Sequence, residues 1–114
     1  MSSVAGLKQS DRIRVLNDNF RTTLVGGRML MTAGVDALPL DTKARVLLAV
    51  QSFDKFTEDN DPHHEHDFGS FEIEGETYFF KIDYFAPDMD GGSEDPADPT
   101  KTTRVLTIMR ADEY

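Results

Sequence analysis

A chain of 114 residues with 39% hydrophobic content, eight phenylalanines and no cysteine is sized for one domain around one core, and it excludes disulfides, thiolate metal sites and thiol catalysis. Its formal charge of −9 is unevenly spread: residues 1–50 hold seven Lys/Arg against four Asp/Glu, residues 51–100 two against fifteen, and the last fourteen three against two. So dense an anionic block repels nucleic-acid backbones and anionic membranes and attracts basic protein surfaces, although the same charge also serves plain solubility. Met1 to Gln9 lack the apolar core of a signal peptide, and no apolar stretch reaches membrane-spanning length. A soluble, cytoplasmic single domain over 1–114 is expected, with a short flexible N-terminus over 1–9.

Ser10-Asp11 reads as a helix start, because either side chain can accept from unpaired backbone donors. Ile13, Leu16, Phe20 and Leu24 then recur every three or four residues along one helical face, while Arg12, Arg14, Asp18 and Arg21 fall mostly on the others. Gly26-Gly27 is the expected stop, since glycine enters the left-handed region without steric cost. Arg28 to Ala33 predicts a short strand around Met29, Leu30 and Met31, and Gly34 to Pro39 breaks it.

A second helix opens at Leu40-Asp41 with Asp41 as the cap candidate. Ala44, Val46, Leu47, Val50, Phe53 and Phe56 fall at helical spacing, which makes this the more buried helix. Residues 57–67 form a polar loop. Phe71 and Ile73 alternating with Glu72 and Glu74 predict a half-buried strand, with a two-residue turn at Glu74-Gly75. That turn sets Ile73 opposite Glu76 and Phe71 opposite Tyr78, and puts Tyr78, Phe80 and Ile82 on the core face. Phe79 and Phe85, of opposite parity, are placed on the other face as candidate anchors for a protein partner. Residues 86–101 form a long acidic loop of turn formers, and Thr102 to Met109 supplies the last strand. The fold expected is α+β, in the order α-β-α-β-β-β: a mostly antiparallel sheet of about four strands with two helices packed on one face.

Two clusters invite a chemical reading. Asp59, Asp61, His63, His64, Glu65, His66 and Asp67 gather every histidine of the chain within four positions. On extended chain His64 and His66 would point to one side and, with Asp61, Glu65 or Asp67 as a third ligand, clamp a divalent metal such as zinc in a site open to water. A polar loop feeding a strand accounts for the same residues without any metal, and neighbouring carboxylates make a mild pH response an intermediate option. Asp88, Asp90, Glu94, Asp95 and Asp98 offer hard oxygens around Gly91-Gly92, but the spacing of a calcium loop is missing. Asp67-Phe68-Gly69 matches the kinase magnesium motif in letters only, since no glycine-rich nucleotide loop accompanies it. Gly69-Ser70 lacks the frame of a nucleophile elbow, and Gly26-Gly27-Arg28 lacks the Lys-Ser/Thr of a phosphate loop. Glu72, Glu74, Glu76 and Asp83 surround the aromatic strand, which disfavours base stacking.

Seven stretches carry a resemblance: Asn17-Asp18-Asn19-Phe20-Arg21, Leu30-Met31-Thr32-Ala33-Gly34-Val35, Asn60-Asp61-Pro62, Glu65-His66-Asp67-Phe68-Gly69, Lys81-Ile82-Asp83-Tyr84, Asp95-Pro96-Ala97-Asp98-Pro99 and Thr103-Arg104-Val105-Leu106-Thr107-Ile108-Met109. With them the chain resembles domain-of-unknown-function family 3768, short bacterial proteins common on alphaproteobacterial genomes and mobile elements. The resemblance implies a stand-alone domain and brings no residue roles with it. Small acidic proteins of such elements resemble nucleic-acid mimics that block restriction or CRISPR effectors.

The leading expectation is therefore an acidic protein-interaction module, of anti-CRISPR or anti-restriction type, that binds a basic, nucleic-acid-handling partner. Its binding carboxylates would be Asp59, Asp61, Glu65, Asp88, Asp90, Glu94, Asp95 and Asp98. No catalytic residue, cofactor, direct nucleic-acid contact or membrane contact belongs to this reading. The alternative is a metal-binding protein or metal-dependent hydrolase built on His64, His66, Asp61 and Asp67 within the His63–His66 cluster.

Overall fold

The computed structural model describes residues 8–114, so the expected flexible terminus lies, for residues 1–7, outside the described residues. The elements follow as α1 (Gln9–Thr23), β1 (Gly27–Met31), α2 (Ala33–Asp36), α3 (Leu40–Ser52), β2 (Phe68–Ile73), β3 (Glu76–Phe85) and β4 (Thr103–Arg110). Short 3-10 turns occupy Pro99–Lys101 and Ala111–Glu113. The strands form one sheet in the order β1-β4-β3-β2, antiparallel except that β1 runs parallel to β4. The α+β class and the mostly antiparallel sheet are as expected. The element order is α-β-α-α-β-β-β, because one extra helical turn, α2, occupies the segment expected to be a plain break. At four residues α2 is too short to leave a periodic signature.

The core lies on one face of the sheet. Phe20 of α1, Val35 of α2 and Val46 and Val50 of α3 pack against Tyr78, Phe80 and Ile82 of β3 and Leu106 and Ile108 of β4. Burying a ring such as Phe80 stabilises the fold by about 2–3 kcal/mol. Gly69 makes the closest approach possible: a Cβ there would stand 2.2 Å from the Phe80 ring and 2.9 Å from that of Phe53. The hairpin register is as expected, with Ile73 opposite Glu76 and Phe71 opposite Tyr78. Glu74 (φ 54°) and Gly75 (φ 81°) both take the positive φ that a tight right-twisted hairpin demands.

Several local expectations are corrected. Helix α1 stops at Thr23, and Leu24, not a glycine, takes the left-handed cap position (φ 61°). The Leu24 N–H bonds to the Phe20 carbonyl, and its side chain packs onto the core, which offsets the strain. Arg21 is not on an outer face: it is buried between α1 and α3. Helix α3 is capped by Pro39, with Asp41 in its first turn, and it ends before Phe53. It is not more deeply embedded than α1, since Leu40 and Leu48 lie exposed. On the opposite sheet face Phe79 and Phe85 are half-buried, and Tyr114 meets Phe68 and Phe79 edge to face. Among the described residues no helix is long and apolar enough to cross a membrane.

Candidate functional site: an acidic end rooted on a buried polar knot

The loop 57–67 leads into β2, and the loop 86–101 links the end of β3 to the start of β4. In this topology β2 begins, β3 ends and β4 begins at the same end of the sheet, so both loops emerge there. Together they hold ten carboxylates, five each, and one cation, Lys101. Among the described residues a single Lys or Arg contact reaches this set, from Lys101 Nζ to Glu94 at 3.3 Å.

Beneath the loops lies a group of polar side chains in positions where the sequence pattern calls for apolar ones. Asn17, fully buried on the Ile13–Phe20 face of α1, donates through Nδ2 to the Glu65 carbonyl (3.0 Å) and the Tyr84 hydroxyl (2.8 Å). Its Oδ1 accepts from Arg104 Nε at 2.8 Å. Arg104, 3% exposed, also donates to the Pro96 carbonyl and lies over the Tyr84 ring with its guanidinium carbon 5.3 Å from the centroid. The Tyr84 hydroxyl in turn donates to Glu65 Oε1 at 2.8 Å. One acidic loop, at Glu65 just before β2, and the other, at Pro96 within its length, are thus tied to one knot on α1, β3 and β4. Burial raises the Tyr84 phenol well above its ordinary value, with Glu65 adding to the rise and the Asn17 bond opposing it. Burial likewise lowers the Arg104 value, partly offset by Tyr84 and Glu65.

A second strand of the same network fixes the 57–67 loop. Asp61, 3% exposed, accepts the backbone N–H groups of Glu65 (3.0 Å) and His66 (3.2 Å). The His66 ring stacks flat on Phe56 with centroids 3.8 Å apart. Its Nδ1 lies 2.9 Å from Asp18 Oδ1, and its Nε2 lies 3.6 Å from Asp61 Oδ2. Asp18 also receives Arg21 Nη2 at 3.1 Å, while Arg21 Nη1 caps the end of α3 by donating to the Val50 and Phe53 carbonyls.

The eight carboxylates expected to bind a partner divide by role. Asp61 and Glu65 turn inward and build the loop. Asp95 accepts from Gln9 Nε2 and the Ala97 N–H, and Asp98 caps the 3-10 turn through the Thr100 N–H and hydroxyl, which holds its carboxyl below the usual range. Glu94 faces Lys101. Asp59, Asp88 and Asp90 are exposed and meet no cation among the described residues. Of the metal set, Asp61 and His66 lie together, 3.6 Å apart, while His64 pairs elsewhere. His64 and His66 both have positive φ (57° and 56°), not the extended backbone that would aim their rings together. His64 instead faces Glu58 at 3.8 Å, and both His66 nitrogens face carboxylates. Asp67 is half-buried, and burial raises its carboxyl pKa, with Glu65 adding to the rise. No three or more His, Asp or Glu side chains are placed to hold a metal among the described residues.

Asn17, Arg21, Tyr84 and Arg104 were missed as site residues. The available signal was a polar or charged letter interrupting an apolar stripe: Asn17 between Ile13 and Phe20, and Arg104 in phase with Leu106 and Ile108. No curated protein and no solved structure matches the chain. The profile of one family, described as "Protein of unknown function (DUF3768)", matches residues 31–113, which takes in both acidic loops and every strand after β1 and leaves α1 ahead of the match. The match spans most of the chain, which therefore belongs to the DUF3768 family.

Proposed function

We propose that the protein is a binding module that offers its acidic end to the basic surface of a nucleic-acid-handling protein, occupying the groove that a phosphate backbone would fill. An inhibitor of a DNA-handling defence system, of the restriction or CRISPR class, is the form this takes on a mobile element. The observation that carries the reading is the rooting of both acidic loops at one end of the sheet, with a single lysine among ten carboxylates. Charges of one sign held together over a rigid base steer a basic partner and reject anionic competitors. The buried knot supports this by holding Glu65 in one loop and Pro96 in the other, so that less ordering accompanies binding.

The test is capture from a bacterial lysate at low and moderate salt, comparing the wild type with the triple variant D59N/D88N/D90N. These three side chains are exposed and meet no cation among the described residues, and asparagine at 88 keeps an oxygen for the Asp90 N–H that Asp88 accepts at 2.9 Å, so the variant is expected to fold. The expected result is a retained nucleic-acid-binding protein that duplex DNA displaces, and a loss of affinity of at least about tenfold in the variant. Retention of no basic protein at either salt, or equal retention by the variant, removes the proposal.

A further inference from the structure

Among the described residues the sheet has an open edge at β1. The Thr32 N–H bonds to the Ile108 carbonyl at 3.1 Å, so by strand alternation Arg28, Leu30 and Thr32 turn their backbone groups toward β4. Gly27, Met29 and Met31 turn theirs away, and no described residue bonds to the outward groups of Met29 or Met31. Such an edge is a template for another strand, and proteins usually blunt it with lysine, proline or a bulge. Here it carries the run Met29-Leu30-Met31, with Leu30 54% exposed and Val25 just before it 75% exposed.

We infer that β1 pairs antiparallel with β1 of a second copy of this chain, joining two four-stranded sheets into one. Centring the pair on Met29 sets Met29 opposite Met29 and Gly27 opposite Met31, so the outward backbone groups of all three residues find partners. On the open sheet face, Arg28 then lies opposite Leu30 of the second copy and diagonal to its Thr32. Diagonal neighbours stand about 7–8 Å apart, within reach of an arginine. Thr32 carries Glu113, whose Oε1 lies 2.7 Å from the Thr32 hydroxyl. Arg28 is exposed and has no carboxylate partner among the described residues, so the two-fold arrangement supplies one on each side. The arrangement also suits the long-range charge. The acidic loops sit at the end where β1 begins, and antiparallel pairing sends the two acidic ends to opposite extremes of the joined sheet, which limits their repulsion.

Sedimentation equilibrium on the full chain tests this. The wild type is expected to dimerise, and R28E and L30K, at two separate exposed positions, are each expected to raise the dissociation constant at least about tenfold. A wild-type chain that stays monomeric up to about 1 mM, or a dimer indifferent to both substitutions, overturns the inference. Thermal unfolding of the variants separates a weakened interface from a weakened fold.

Discussion

Asn17 makes three hydrogen bonds with one amide group, and each goes to a different element or loop. Replacing it with alanine strands Arg104 Nε and leaves the Tyr84 hydroxyl and the Glu65 carbonyl each short of a partner in a buried site. N17A is expected to lose about 2–4 kcal/mol of stability in urea unfolding. A change confined to about 0.5 kcal/mol would mean that the knot contributes little. Tyr84 gives a pH signature. The unfolded chain releases the phenol proton near 10.0, whereas the folded chain holds it above that value because the group is buried. Between the two the native state binds more protons, so stability is unaffected below the ordinary value and declines as pH rises past it. Phenolate absorbance against pH, read beside the melting temperature, should show Tyr84 ionising only as the protein unfolds. A Tyr84 that titrates freely in the folded protein would contradict the buried network. The letters marked Asn17 and Arg104 each as a polar break in an apolar stripe, but the two are 87 positions apart, and only the fold discloses that one satisfies the other.

At the scale of elements, the hairpin was readable down to its register, because strict alternation fixes the faces and a two-residue turn fixes the pairing. Helix α1 was readable in its body but not at its stop. Glycine lowers the cost of the left-handed cap, yet local packing let Leu24 take that place. The parallel pairing of β1 with β4 had no local signal at all. The C-terminal turn shows how two remote elements are clipped together. Glu113 accepts from the Thr32 hydroxyl (2.7 Å), the Arg110 N–H (2.9 Å) and the Gly34 N–H (2.8 Å), binding the chain end to the start of α2. These bonds, the Thr32 hydroxyl first, hold its carboxyl below its ordinary 4.5. A depressed carboxyl contributes stability that is complete above the unfolded value and lost as pH falls through the folded one. E113Q should therefore lower the melting temperature at neutral pH, and the gap from the wild type should close on acidification. A gap unchanged by acid would assign the effect to something other than the carboxylate.

For the whole molecule, the anionic block was plain from composition, but its arrangement was not. Sequence order separates the two acidic loops by two strands, and only the sheet topology brings their roots to one end. The histidine cluster shows the reverse case, for residues adjacent in sequence are turned apart by two positive φ angles at His64 and His66. One topological feature governs how the chain must assemble. Strand β4 is the last strand in sequence yet lies inside the sheet, paired to β1 on one side and β3 on the other. Until it joins, the only strand pairing available is the β2–β3 hairpin, and Leu106 and Ile108 are missing from the core. During synthesis the domain therefore cannot close progressively behind the ribosome. It waits for β4, and a chain cut just before Thr103 is left with three helices, a hairpin and no complete sheet for them to rest on.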